Sequence, residues 1–143
     1  MSAVAVFRER LNPLRGLLMA FPIALFTSAL ISDIAYLKSA QMQWSNFSAW
    51  LIVGALVFGG VAGLWAIIDL ALSWRSPARR AAVIHLAALA LASIFGLINA
   101  FKHSQDAWSS VGAFGLTLSI LSTLLILIAG WLAYSNSTVR EIA

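Results

Sequence analysis

Four uninterrupted apolar runs, each of more than 18 residues and separated by short polar links, decide what this chain can fold into. As a helix rising roughly 1.5 Å per residue, a run of that length crosses the hydrocarbon core of a bilayer, about 30 Å thick. The runs cover residues 16–37, 47–74, 81–101 and 107–134. Barrel strands would be shorter and would alternate in polarity, so helices are indicated. The expected fold is all-α: an integral membrane antiparallel four-helix bundle. It forms one domain over residues 1–143, with 1–15 as a basic cytoplasmic lead-in and 135–143 as a polar tail.

Composition removes the soluble alternatives. The 143 residues are 62% hydrophobic and 10% charged, with a mean hydropathy of +0.93. Soluble domains are about 45 to 50% apolar. Nine Lys and Arg against five Asp and Glu would suggest a nucleic-acid binder in a soluble protein. Here the basic residues lie between apolar runs and report topology, so no nucleic-acid partner is expected. The chain has no cysteine, which excludes disulfides, thiol redox chemistry and thiolate metal sites.

The segment before Phe7 is too short to cross a bilayer. Thr27 and Ala29 loosely imitate a leader cleavage site, but apolar residues continue to Leu37, past the usual leader core, so the first span is expected to be retained. Pro22 removes one backbone bond there, a loss that neighbouring helices compensate in a bundle. Ser45 or Asn46 is expected to cap the second span, the longest and therefore tilted. With a cytoplasmic N-terminus, Arg8, Arg10, Arg15, Arg75, Arg79, Arg80 and Arg140 lie inside and only Lys38 and Lys102 outside. Seven against two is a clear positive-inside bias, so both termini are expected in the cytoplasm. The aromatic residues agree: Tyr36, Trp44, Trp50 and Trp108 fall near the outer ends of spans and Trp74, Trp131 and Tyr134 near the inner ends, with Trp65 deeper.

Helices in lipid associate through small residues that let their backbones approach. At spacing four, the first span carries Gly16, Ala20, Ala24, Ser28 and Ser32, the second Ala55, Gly59 and Gly63, the third Ala88, Ala92, Gly96 and Ala100, and the fourth Gly115, Ser119 and Thr123. Such rows suit a closed bundle, with Gly59, Gly63, Ala92 and Gly96 as packing residues. The Gly59 to Gly63 pair is read as intramolecular packing rather than a dimer face.

Ionisable residues inside a membrane are costly and need a reason. Asp69, before the turn holding Arg75, Pro77, Arg79 and Arg80, and His85, after it, share a depth about 6 to 8 Å below the inner surface. We expect both to face the bundle interior in one polar cluster with Arg15, Asp69 accepting from His85, from Arg15 or from an arginine of the turn. The alternative is a proton, metal or cofactor site, with His85 as the binding residue. Near the other surface Asp33 is level with Asn99, Lys102 and His103. A structural carboxylate paired with Lys102 or Lys38 is expected there.

The run Ala20 to Leu37 (AFPIALFTSALISDIAYL), the GLWAIIDL run through Asp69 and Leu70, His85 after an arginine-rich turn, and Gly130 with Trp131 together resemble the bacterial DUF2231 family over nearly the whole chain. The resemblance implies a small four-span inner-membrane protein with no established activity, some relatives being joined to or encoded beside redox proteins. Typical members open the first span with a pattern like HPxxxHFPIA, where this chain has Arg15, Gly16 and, at the second histidine, Ala20. A typical member could bring two histidines and a carboxylate together near the inner leaflet, enough for a haem or a metal. This chain keeps only Asp69 and His85 there, and one imidazole cannot supply bis-histidine ligation. The family's Gly-rich segment after the Gly-Trp pair is also missing, leaving Tyr134 in an uncertain register.

With no nucleophile arrangement, metal box or phosphate loop, the expected function is a non-catalytic integral protein of the bacterial cytoplasmic membrane, an accessory or assembly subunit packing against a larger, redox-linked complex. Its partners would be the bilayer and other membrane proteins or a second copy, with no cofactor and no metal. The competing expectation is a redox or proton-handling component binding haem (the leading alternative cofactor), quinone or metal near Asp69 and His85. A channel is disfavoured, since no span has a continuous polar stripe.

Overall fold

The computed structural model describes residues 6–8, 12–105, 111–135 and 139–141, with side chains for 12–105 and 111–135. Arg10, Asp106, Trp108 and the first residues of the fourth expected span lie outside them. Four helices carry the fold: α1 (Pro13–Ser39), α2 (Met42–Leu72), α3 (Arg79–His103) and α4 (Ala113–Ser135). All are long and apolar enough to cross a membrane. Each packs against its neighbour in sequence, and α4 closes back onto α1. The result is an up-down-up-down ring with little contact across the diagonals.

The helix ends follow local chemistry. Pro13 starts α1, where its missing N–H costs nothing, and the Asn12 side chain accepts from Leu14 N at 3.0 Å. Ala40 closes α1 in a left-handed conformation, φ 54°, its N–H returning to the Tyr36 carbonyl at 2.7 Å. The chain therefore reverses at once, and α2 begins at Met42 rather than at 47. Neither Ser45 nor Asn46 caps it: Gln41 holds that position without a side-chain capping bond, and Ser45 is buried in the first turn.

At about 46 Å, α2 is the longest helix and exceeds the bilayer core. Between α2 and α3, Ser76 takes the amide of Ala78 on its hydroxyl and that of Arg79 on its carbonyl. The chain ends meet in an antiparallel ribbon, β1 (Val6–Arg8) with β2 (Val139–Glu141), Phe7 opposite Arg140. The apolar pattern gave no hint of this ribbon.

Less than half of each span is buried, and Trp50, Leu72 and Trp131 are among the most exposed side chains. A surface so apolar belongs in lipid. The core is Phe26, Ile52, Leu89 and Ile126 around Ala55, Ala88, Ala92 and Ala129. The small rows of α2, α3 and α4 face inward, whereas in α1 Ala20 and Ala24 are exposed. The buried stripe of α1 is Met19, Pro22, Phe26, Ala29, Ser32, Asp33 and Tyr36, so of the small row only Ser32 is buried. At 3.6 residues per turn a row at spacing four drifts around the helix, and α1 turns its bulkier side inward to fill the bundle. Gly59 is buried inside this chain: a Cβ there would meet Pro22 and Ser93 at 3.8 Å, and one on Gly63 would meet Leu89 at 4.0 Å. Gly96 is the tight one of the expected packing glycines, since a Cβ would come within 2.6 Å of the Phe26 ring.

Candidate functional site

Polar side chains gather at both ends of the bundle. At the terminal pole, where α1 starts, α4 ends and α2 turns into α3, Arg15 Nη1 lies 2.5 Å from Asp69 Oδ2. The contact is an ion pair by distance, but its angle falls outside a directional hydrogen bond. Both side chains keep about a quarter of their surface exposed, 28% and 26%. His85, in the second turn of α3, is buried and its Nδ1 sits 3.0 Å from the Ala129 carbonyl of α4. A carbonyl only accepts, so Nδ1 carries a proton, and when the ring is neutral the lone pair is on Nε2.

His85 therefore ties α3 to α4 and gives Asp69 no bond. Asp69 ties α2 to α1 through Arg15. Arg15 and His85 both line a cleft with Leu18, Met19, Ala62, Trp65 and Ala133, whose free volume of about 10 Å³ admits one water. Tyr134 Oη donates to the Gly16 carbonyl at 2.6 Å and joins α4 to α1.

At the distal pole the polar groups are buried outright. His103 Nε2 lies 2.9 Å from Asp33 Oδ1, and both side chains are fully enclosed. Ser119 donates to Asp33 Oδ2 in a short contact and accepts from Asn99 Nδ2 at 2.7 Å. His103 Nδ1 donates to the Asn99 carbonyl at 3.0 Å, which closes the ring of four residues on α1, α3 and α4. Nδ1 thus bears a proton whichever of His103 and Asp33 carries the shared one. The arrangement is not a nucleophile with its base, because Ser119 is bonded to the carboxylate and not to the imidazole. Below it Thr123 donates to the Phe26 carbonyl at 3.1 Å, and Ser48 on α2 to the Ala29 carbonyl at 3.3 Å.

Asp33 is paired with neither lysine. Lys102 instead reaches Gln105 at 2.8 Å, and Lys38 is exposed. An ammonium on a flexible stem gains more from water than from a closed interior, whereas an imidazole is flat, apolar in body and two-sided in its bonding.

The sequence model of a family described as "Predicted membrane protein (DUF2231)" matches residues 11–138. The chain belongs to the DUF2231 family. No curated protein and no solved structure matches it.

Within this DUF2231 protein, His85 and His103 stand 18 residues apart on α3, about 27 Å along its axis. They cannot serve one iron, and a bis-histidine haem does not fit this chain. Among the described residues no three of His, Asp and Glu come close enough to hold a metal ion. Between the two poles lies the apolar core of Phe26, Ile52, Leu89, Ala92 and Ile126. Ser119 and Tyr134 are the site residues that sequence reasoning missed. The run of hydroxyls at Ser119, Ser122 and Thr123 on one face of α4 was the available signal.

Proposed function

We propose that this DUF2231 protein is a non-catalytic accessory or assembly subunit that packs against a larger membrane complex. The observation supporting this is how the polar groups are used. Arg15–Asp69, His85–Ala129, Tyr134–Gly16 and the Asp33–His103–Asn99–Ser119 ring all join one helix to another, while the apolar exterior is left for lipid or neighbours. The arginine count supports a topology with both termini and the turn between α2 and α3 in the cytoplasm, and the bundle in a bacterial inner membrane. Purification from native membrane in mild detergent, with mass spectrometry of what accompanies the chain, tests the subunit role. A partner in fixed ratio is expected, and a chain that always purifies alone overturns it. Reporter fusions at residues 75–80 test the orientation, and an extracytoplasmic signal there reverses it.

One observation favours a second reading. Nε2 of His85 carries a lone pair beside a cleft shared with Arg15, the tautomer suited to accepting a proton or a ligand. On this reading the pole handles a proton or binds a small redox ligand such as a quinone. An absorbance band or ligand-dependent stabilisation that His85→Gln abolishes, with folding intact, would support it.

A further inference from the structure

The last turns of α2 carry an apolar groove beside free cations, and the reading above uses neither. Ile67, Leu70, Ala71, Leu72, Trp74 and Arg75 line an open groove of about 620 Å³. Leu72 is 81% exposed. Arg75 stands in the lining itself, and the Arg79 guanidinium lies 4.1 Å over the Trp74 ring, which holds it at the rim. Arg80 follows, exposed. Among the residues whose side chains are described, none of these arginines is paired with a carboxylate, and Asp69 is taken up by Arg15. The start of α3 adds to the positive field, because it has no side-chain cap and no acidic residue in its first turn.

We propose that this groove binds one anionic phospholipid, its phosphate between Arg75 and Arg79 and one acyl chain along Ile67 and Leu72. The charges commit the headgroup to a net negative one, because a choline would set a cation against unpaired guanidiniums. The walls commit it to a lipid rather than a soluble anion. They are apolar and continue into the exposed face of α2, so a phosphate held here has its chains already in hydrocarbon. The proposal needs no partner protein and no particular orientation, so it stands or falls apart from the subunit role.

The test uses the purified full chain in neutral detergent, with thermal unfolding and native mass spectrometry in added dioleoyl phosphatidylglycerol or dioleoyl phosphatidylcholine. The glycerol lipid should raise the midpoint and bind one equivalent, and the choline lipid should do neither. Arg75→Gln and Arg79→Gln should each weaken binding about fivefold and together about 25-fold, while Lys38→Gln at the far pole should not. The arginines are exposed, so unchanged helicity by circular dichroism is expected in every variant. Equal stabilisation by both lipids, an undiminished effect in the double variant, or the same shift from glycerol phosphate without acyl chains overturns the proposal.

Discussion

The two poles use related chemistry, a carboxylate beside a basic partner, Arg15 at one and His103 at the other, yet they differ in burial. At the terminal pole Arg15 and Asp69 remain partly exposed, and His85 bonds to a backbone carbonyl rather than to the acid. At the distal pole Asp33, His103, Asn99 and Ser119 are buried and bonded in a closed ring. A half-solvated ion pair contributes little, because water competes for both partners. An enclosed one becomes costly as soon as one member is lost. We therefore expect the distal pole to set the stability of the bundle and the terminal pole to be nearly dispensable for it.

The largest effect should come from Asp33→Ala, which strands His103 and the Ser119 hydroxyl in the interior. A loss of about 3 to 5 kcal/mol is expected in unfolding from detergent. Combining Asp33→Leu with His103→Leu should cost less than the sum of the two single changes, since no orphaned polar partner is left. A strictly additive pair would show that the buried Asp33–His103 pair is not the unit we describe.

Gly96→Ala should cost about 1 to 3 kcal/mol by forcing a methyl into the Phe26 ring, which reaches across the bundle from α1 to Gly96 on α3. Gly59→Ala, whose new methyl meets only ordinary contacts at 3.8 Å, is the matching control and should be close to neutral. Equal losses at the two glycines would remove the argument from close approach.

Ser119→Ala removes two interhelical bonds, the one to Asp33 and the one from Asn99, and should cost about 1 to 2 kcal/mol, at an average of about 0.6 kcal/mol for each such bond in a membrane bundle. The smallest change is expected from Asp69→Asn, at most about 1 kcal/mol. Its effect should add to that of His85→Gln within about 0.5 kcal/mol, because no bond joins the two. A strong coupling between them would erase the contrast between the poles.

Asp33, Asn99 and His103 were legible as residues at one depth because helix rise converts sequence position into depth. Depth does not give rotation about the axis, and rotation chose the partner. His103 faces Asp33 across the bundle, while Lys102, one residue earlier, is turned toward Gln105. Similarly Asp69 and His85 share a level, yet α2 presents its acid to α1 and α3 presents its imidazole to α4.

The sequence by itself determined that this is a membrane protein of four helices, where the spans lie to within a few residues, and which polar residues share a level. These are one-dimensional properties, set by the length of apolar runs against the thickness of a bilayer. Only the tertiary structure decided that the helices close as a ring in chain order, that Ala20 and Ala24 of the first small-residue row turn outward, and that Ser119 completes the buried cluster. Those outcomes depend on which side of each helix faces inward. In so uniformly apolar a chain hydrophobicity does not distinguish the sides, and the choice falls to packing volume and hydrogen-bond partners.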